Sequence, residues 1–82
     1  MLPPRLLRFP QVLEVSGLRG TSLYADIKDG LFPPPVRLSG RGRAWPELEV
    51  FAINRARIAG KSNEQIKALV TDMVAARVRL GV

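Results

Sequence analysis

Three consecutive prolines, Pro33-Pro34-Pro35, set the terms on which this chain can fold. Each proline holds φ near the polyproline value and pushes its predecessor away from the helical region. Phe32 to Pro35 therefore runs extended, and it separates two short segments of different character. Upstream, Leu23 and Ile27 are four apart and share one helix face. At about 100° per residue, Thr21, Ala25 and Lys28 fall roughly opposite that pair. Ser22 and Asp29 flank one side, and Tyr24 lies between the buried and exposed faces. A hydroxyl from Thr21 or Ser22 can satisfy an orphan N–H of the first turn, and Gly30 is a good helix stop. The spacing predicts a two-turn helix over 21–29 with small or hydrogen-bonding residues outward.

Downstream of the prolines, Val36 and Leu38 alternate with Arg37, the period of a strand with one buried face. Ser39-Gly40-Arg41-Gly42 reads as a flexible hairpin tip and Ala44-Trp45 as a short return, with Trp45 in the core of the hairpin. No acid occurs between Asp29 and Glu47, while Arg37, Arg41 and Arg43 crowd that interval. A short helix followed by an electropositive wing is a way to present side chains to a nucleic-acid groove.

The flanking segments read as support. Leu6-Leu7-Arg8-Phe9 is expected to add a strand to the hairpin. Pro10 suits the first position of a helix, which continues through Gln11 to Val15 with Val12, Leu13 and Val15 inward and ends at Ser16-Gly17. The interval Gly17 to Gly20 is then the short turn of a helix-turn-helix. After the wing, Pro46 fits the first position of another helix, with Glu47 and Glu49 at its positive end. Leu48, Phe51, Ala52 and Ala59 can share one face of that helix, with Arg55 at its edge. Gly60-Lys61 breaks the pattern, and Ser62-Asn63-Glu64-Gln65 is a capping box. The last helix carries an apolar stripe of Ile66, Leu69, Val70, Met73, Val74 and Val78, and so short a link predicts a helical hairpin. The stripe closes the chain's own core or pairs with another subunit, and both readings stay open.

The expected fold class is mainly α with a small β-hairpin: a winged helix-turn-helix plus a C-terminal helical hairpin. The expected organisation is a single domain over 1–82, with a loose arm at 1–5, the helix-turn-helix and wing at 6–45, and the helix pair at 46–82. A chain of 82 residues is near the size at which one core only marginally suffices. Its hydrophobic content of 46% argues against disorder.

Several functions drop out on composition. The chain has no cysteine and no histidine, which excludes a disulfide framework and zinc sites of Cys/His type. Nucleophile–base pairs are limited to Ser, Thr, Lys, Tyr and carboxylates. Asp26 and Asp29 read as the solvated last turn of a helix rather than metal ligands. Gly40 and Gly42 lack the lysine and the strand–helix setting of a phosphate loop. No enzymatic activity, cofactor, metal or small-molecule ligand is expected. The net charge of +6 is the footprint expected of a nucleic-acid binder, one that ribosomal and membrane-surface proteins share. Residues 1–45 hold seven basic and three acidic side chains, against six and four in residues 46–82. No run approaches the ~20 apolar residues of a membrane span, and the proline-broken start does not fit a signal peptide. A cytoplasmic, nucleoid-associated protein is the expectation.

The ordered set Ser16-Gly17-Leu18, Leu23-Tyr24, Ile27-Lys28, Gly30, Phe32-Pro33, Pro35-Val36-Arg37-Leu38-Ser39, Trp45 and Glu49-Val50 resembles the AlpA-type prophage regulators. These are small winged helix-turn-helix proteins related to phage excisionases and, more distantly, to MerR-type DNA-binding domains. The likeness covers roughly residues 6 to 53. The chain departs from it at Gly20 and Ala25, where the family often has basic residues. The resemblance implies a sequence-specific, DNA-binding transcriptional regulator of prophage or integrative-element genes. Helix 21–29 would read the major groove of double-stranded DNA, and the wing over 37–43 the adjacent backbone or minor groove. The residues expected to face DNA are Arg19, Thr21, Ser22, Tyr24, Lys28, Arg37, Ser39, Arg41 and Arg43. The alternatives are an excisionase-type DNA-bending factor and, from another class, a protein-interaction module using the C-terminal amphipathic helix. Self-association on DNA through that helix is a further expectation.

Overall fold

The computed structural model describes residues 5–80, in the order β1 (Leu6–Leu7), α1 (Phe9–Ser16), α2 (Gly20–Lys28), β2 (Val36–Arg37), β3 (Arg43–Pro46), α3 (Glu47–Ile58) and α4 (Asn63–Leu80). The strands form one antiparallel sheet in the order β1-β3-β2. Leu6 faces Pro46 and Leu7 faces Trp45 on one side of β3, while Val36 faces Ala44 and Arg37 faces Arg43 on the other. The chain is mainly helical with a small three-stranded sheet, an arrangement compatible with a winged helix-turn-helix and a C-terminal helix pair, as its sequence leads one to expect.

The helix ends follow local chemistry. Gly30 has φ +78° and Gly60 φ +73°, a left-handed conformation that glycine adopts at no steric cost. Each closes a helix by the same pair of bonds: the Gly30 N–H donates to the Ile27 carbonyl and the Leu31 N–H to the Asp26 carbonyl. The Gly60 N–H donates to Arg57 and the Lys61 N–H to Ala56 in the same way. The capping box of α4 forms as its sequence predicts. The Ser62 N–H donates to Gln65 Oε1 at 2.9 Å, and the Gln65 N–H donates to Ser62 Oγ at 3.2 Å.

Several boundaries and faces differ from the sequence reading. The first strand is only Leu6–Leu7, because Arg8 caps α1 and Phe9 takes its first position, leaving Pro10 second. Val15 is exposed rather than inward; its carbonyl accepts a hydrogen bond from Asn54 Nδ2 at 3.0 Å. Pro46 caps α3 instead of opening it, since it still pairs with Leu6 in the sheet. Residues 1–4 of the expected loose arm lie outside the described residues. Arg5 is tied down: its carbonyl accepts from the Glu47 N–H at 2.8 Å, and its side chain lies 3.4 Å from the Glu47 carboxylate.

The buried face of α3 is the largest correction. Val50, Ile53 and Ala56 point into the core, whereas Leu48 is 65% exposed and Phe51, Ala52 and Ala59 stay at least partly accessible. Apolar residues occur on two sides of this helix, so periodicity alone does not choose between them. The choice is made by the sheet. The Glu47 N–H is already bonded to Arg5, which fixes the rotation of the first turn. The core joins Leu7, Val12, Leu23, Phe32, Trp45, Val50, Ile53, Ile66 and Val70, so every layer contributes. The stripe of α4 fades along its length, from fully buried Ile66 through half-buried Met73 and Val74 to exposed Val78.

Glu49 is not simply an acid at a helix start. Its carboxylate is buried and accepts a two-point bond from Arg77, with Nε at 2.9 Å from Oε2 and Nη2 at 2.6 Å from Oε1. The same Nη2 donates to the Pro34 carbonyl at 2.7 Å. One guanidinium thus ties the end of α4 to the start of α3 and to the proline run. Arg77→Met is expected to leave the buried carboxylate without its donors, at a cost of about 2 kcal/mol. Thermal melts should show Tm lower by roughly 8–16 °C, with much of the loss recovered in Arg77→Met/Glu49→Leu. An unchanged Tm in the single variant would show the pair to be idle.

Candidate nucleic-acid interface

The arrangement of α1, a turn over 17–19 and α2 positions one set of side chains. Leu23 is fully buried and Ile27 packs against the core. Thr21, Ser22, Ala25 and Lys28 are exposed, as the spacing predicts. The start of α2 is not capped by Thr21 or Ser22. Arg19 is the capping residue, and both hydroxyl residues lie within the first turn with no cap bond. The chain enters α2 one residue earlier than expected because Gly20 is helical. A Cβ at Gly20 would stand 3.2 Å from Cζ of Phe9, so glycine lets α2 start against that ring.

Phe9 carries the contact onward. Its ring stacks on Tyr24 with centroids 5.6 Å apart and planes at 22°, and tilts against Trp45 at 6.2 Å. The row runs from the fully buried indole to Tyr24, which is 46% exposed. Tyr24 is therefore both core edge and surface group. Through this row the exposed side of α2 is held next to β3 and the wing.

In the wing, the Leu38 N–H donates to the Gly42 carbonyl at 2.8 Å and closes the loop that follows β2. Gly40, at φ +74°, makes the reversal. Arg37, Ser39, Arg41 and Arg43 are all exposed. Arg37 and Arg43 are directly opposite across the two strands, which puts them on the same face of the sheet. Tyr24 of α2, Arg41 and Arg43 of the wing and Arg8 line a single open concavity floored by Phe9 and Trp45. Of the residues expected to face DNA, this concavity gathers Tyr24, Arg41 and Arg43; Arg19, Thr21, Ser22, Lys28, Arg37 and Ser39 do not line it.

Ion pairing is uneven. The ion pairs among the described residues are Arg5–Glu47, Arg57–Asp26 at 3.9 Å and Arg77–Glu49. They occupy three of the chain's seven acids and none of the cations on α2 or the wing. Arg8, Arg19, Lys28, Arg37, Arg41 and Arg43 have no carboxylate within 4.0 Å among the described residues. Exposed ion pairs contribute little to stability, so their absence here costs the fold little and leaves these six cations without a direct carboxylate partner. Asp26, read from sequence as solvated, is half-buried and bridges α2 to α3.

Arg8 was not visible as a member of this group from sequence. It lies 33 residues before Arg41, and only the pairing of β1 with β3 brings it beside the wing. Among the described residues, no group of three or more acids forms a metal-binding cluster, and no helix is long and apolar enough to cross a membrane.

Comparison with known proteins adds a relationship. A family model described as Prophage CP4-57 regulatory protein (AlpA) matches residues 5–56, more than half of the chain. Uncharacterized protein ORF88 of Enterobacteria phage P4 is 44% identical over 57 residues. That match covers 70% of this chain and 65% of the phage protein, just under two thirds of its length. No solved structure matches. The matched region takes in α1, α2, the sheet and most of α3, and stops short of α4.

The opposed Arg37 and Arg43 give a stability expectation. Like charges directly across a strand pair are destabilising, by up to about 1 kcal/mol. Arg37→Thr should raise Tm of the free protein by a few degrees at low salt, and the gain should shrink at high salt as screening replaces the mutation. Melts at two ionic strengths check this; a lower Tm at low salt would mean that the pair is held by something other than repulsion.

Proposed function

The chain belongs to the family of the Prophage CP4-57 regulatory protein (AlpA), and from that premise we propose that it is a sequence-specific DNA-binding transcriptional regulator of prophage or integrative-element genes. The observation that carries this reading is the shared concavity: Tyr24 from α2 and Arg41 and Arg43 from the wing line one side, with no acid paired to them among the described residues.

In this proposal α2 enters the major groove with its N-terminal half nearest the base edges, as recognition helices of this motif do. Arg19, Thr21 and Ser22 lie at that end and can reach base edges or phosphates. Ala25 offers only a methyl group at the centre of the exposed side, which suits apolar contact with thymine. Lys28, one turn further on, reaches a base edge or a phosphate, and Tyr24, through its hydroxyl, reaches the sugar-phosphate backbone. The wing lies along the neighbouring backbone or minor groove. Arg41 and Arg43 contact phosphates or an A·T-rich narrow groove, where arginine is favoured by the enhanced negative potential. Arg37 and Ser39 hold flanking phosphates. Phosphate contacts fix position, and the few groove-facing side chains read sequence.

This division of labour separates two experiments. Arg41→Ala/Arg43→Ala should weaken binding to every duplex and reduce the slope of log K against log salt by about 1.8, or 0.9 per lost phosphate contact. Fluorescence anisotropy across a salt series measures it, and an unchanged slope removes the wing from the interface. Thr21→Ala and Lys28→Ala should instead change the sites recovered when the protein selects from a random duplex library. Recovery of the parental motif by both variants would show that α2 is not the reader.

A further inference from the structure

Arg8 joins the wing in a way the regulator reading does not use. It stands at the junction of β1 and α1, where its backbone N–H donates to Gln11 Oε1 at 2.8 Å. Its side chain is exposed and lines the concavity with Arg41, Arg43 and Tyr24. One of its terminal nitrogens lies 3.6 Å from where a Cβ on Gly42 would be, so the guanidinium sits against the backbone of the wing. That same Cβ would stand 3.1 Å from Leu38 Cβ. The approach to Leu38 is tight, so glycine at 42 keeps the hairpin mouth open, while the distance to Arg8 is ordinary contact.

Three guanidiniums from two separate parts of the chain thus share one concavity, and none has a carboxylate partner among the described residues. Phe9 and Trp45 form an apolar floor beneath these exposed side chains, so the polar contacts on offer come from the rim. The groups that could touch a ligand are planar cationic forks and one hydroxyl. A guanine edge offers two acceptors to one such fork, but three forks gathered in one concavity match the run of anionic oxygens along a phosphodiester backbone better than a single base. A phosphodiester needs only donors, and the guanidinium fork fits two of its oxygens at once.

We propose that Arg8, Arg41 and Arg43 cradle adjacent backbone phosphates of the bound duplex, one to each guanidinium, placed where the strand passes from the helix to the wing. This rests on the DNA-binding reading above and adds to it a specific contact from outside the helix and the wing. The cradle carries no sequence information. It sets the register of α2 against the wing and couples the two.

Salt titrations on a short random-sequence duplex test this with four proteins: the parent, Arg8→Gln, Arg8→Lys and Arg5→Gln. Arg8→Gln should reduce the salt slope by about 0.9 and the affinity at about 0.1 M salt by about eightfold, the ratio that this slope gives when referred to 1 M. Arg8→Lys should restore the slope but not all of the affinity, since the charge returns without the fork. Arg5→Gln, which alters a cation paired with Glu47, should leave the slope unchanged. The melting temperature of Arg8→Gln should equal or exceed that of the parent, because one of three mutually repelling charges is gone. A parental slope in Arg8→Gln overturns the cradle while leaving the regulator reading standing, and so does a loss that Arg8→Lys fails to restore. A parent that binds no duplex at any salt concentration overturns both.

Discussion

Trp45 is the residue on which the rest of the structure depends. It is fully buried in the middle strand, faces Leu7 across the sheet, packs beside Phe9 and donates its indole N–H to the Pro33 carbonyl at 3.0 Å. A large aromatic side chain supplies more apolar burial than any other single group in so small a core, and its polar tip must find a partner when buried. Here the partner is a carbonyl of the proline run, so one side chain fastens that run to the sheet. The prolines have no N–H to give to a ladder. The carbonyls of Pro33 and Pro34 are what hold the segment, the first through Trp45 and the second through Arg77.

The second anchorage reaches beyond the part of the chain that the family model covers. Glu49 lies inside residues 5–56, but the guanidinium that satisfies it comes from Arg77 in α4. A buried carboxylate without donors is costly, so the matched region of this protein relies on a helix outside that region. The same guanidinium holds the chain just before β2. α4 thereby buttresses the base of the wing, although Val78, just beyond Arg77, is largely exposed.

How much of this could be read from sequence depends on the range of the interaction concerned. The helix-ending glycines Gly30 and Gly60, the Ser62–Gln65 box, the proline run and the inward pair Leu23 and Ile27 are local, and the residues themselves carry the signal. The misreadings are cases where a distant partner decides. Val50, Ile53 and Ala56 bury because Arg5 and the sheet fix how α3 begins; Leu48 and Phe51 are as apolar and lose. Glu49 looked like a dipole-complementing acid because its partner lies 28 residues on. Thr21 and Ser22 were expected to cap α2, yet Gly20 joins the helix against Phe9 and moves the cap to Arg19. Of the residues expected to face DNA, all nine are exposed. Arg8 was missed because only strand pairing places it there.

The aromatic row has a spectroscopic consequence. The chain has one tryptophan and one tyrosine, separated by the Phe9 ring. Its indole is shielded from water in the strand that joins the wing to both flanking segments. Emission from this single fluorophore is thus a built-in gauge of the wing's attachment, needing no added label: blue while the sheet is closed and red once water reaches it. Tyr24, at the solvent end of the row, is the natural energy donor to that indole, so excitation at the phenol reads out the spacing between α2 and β3.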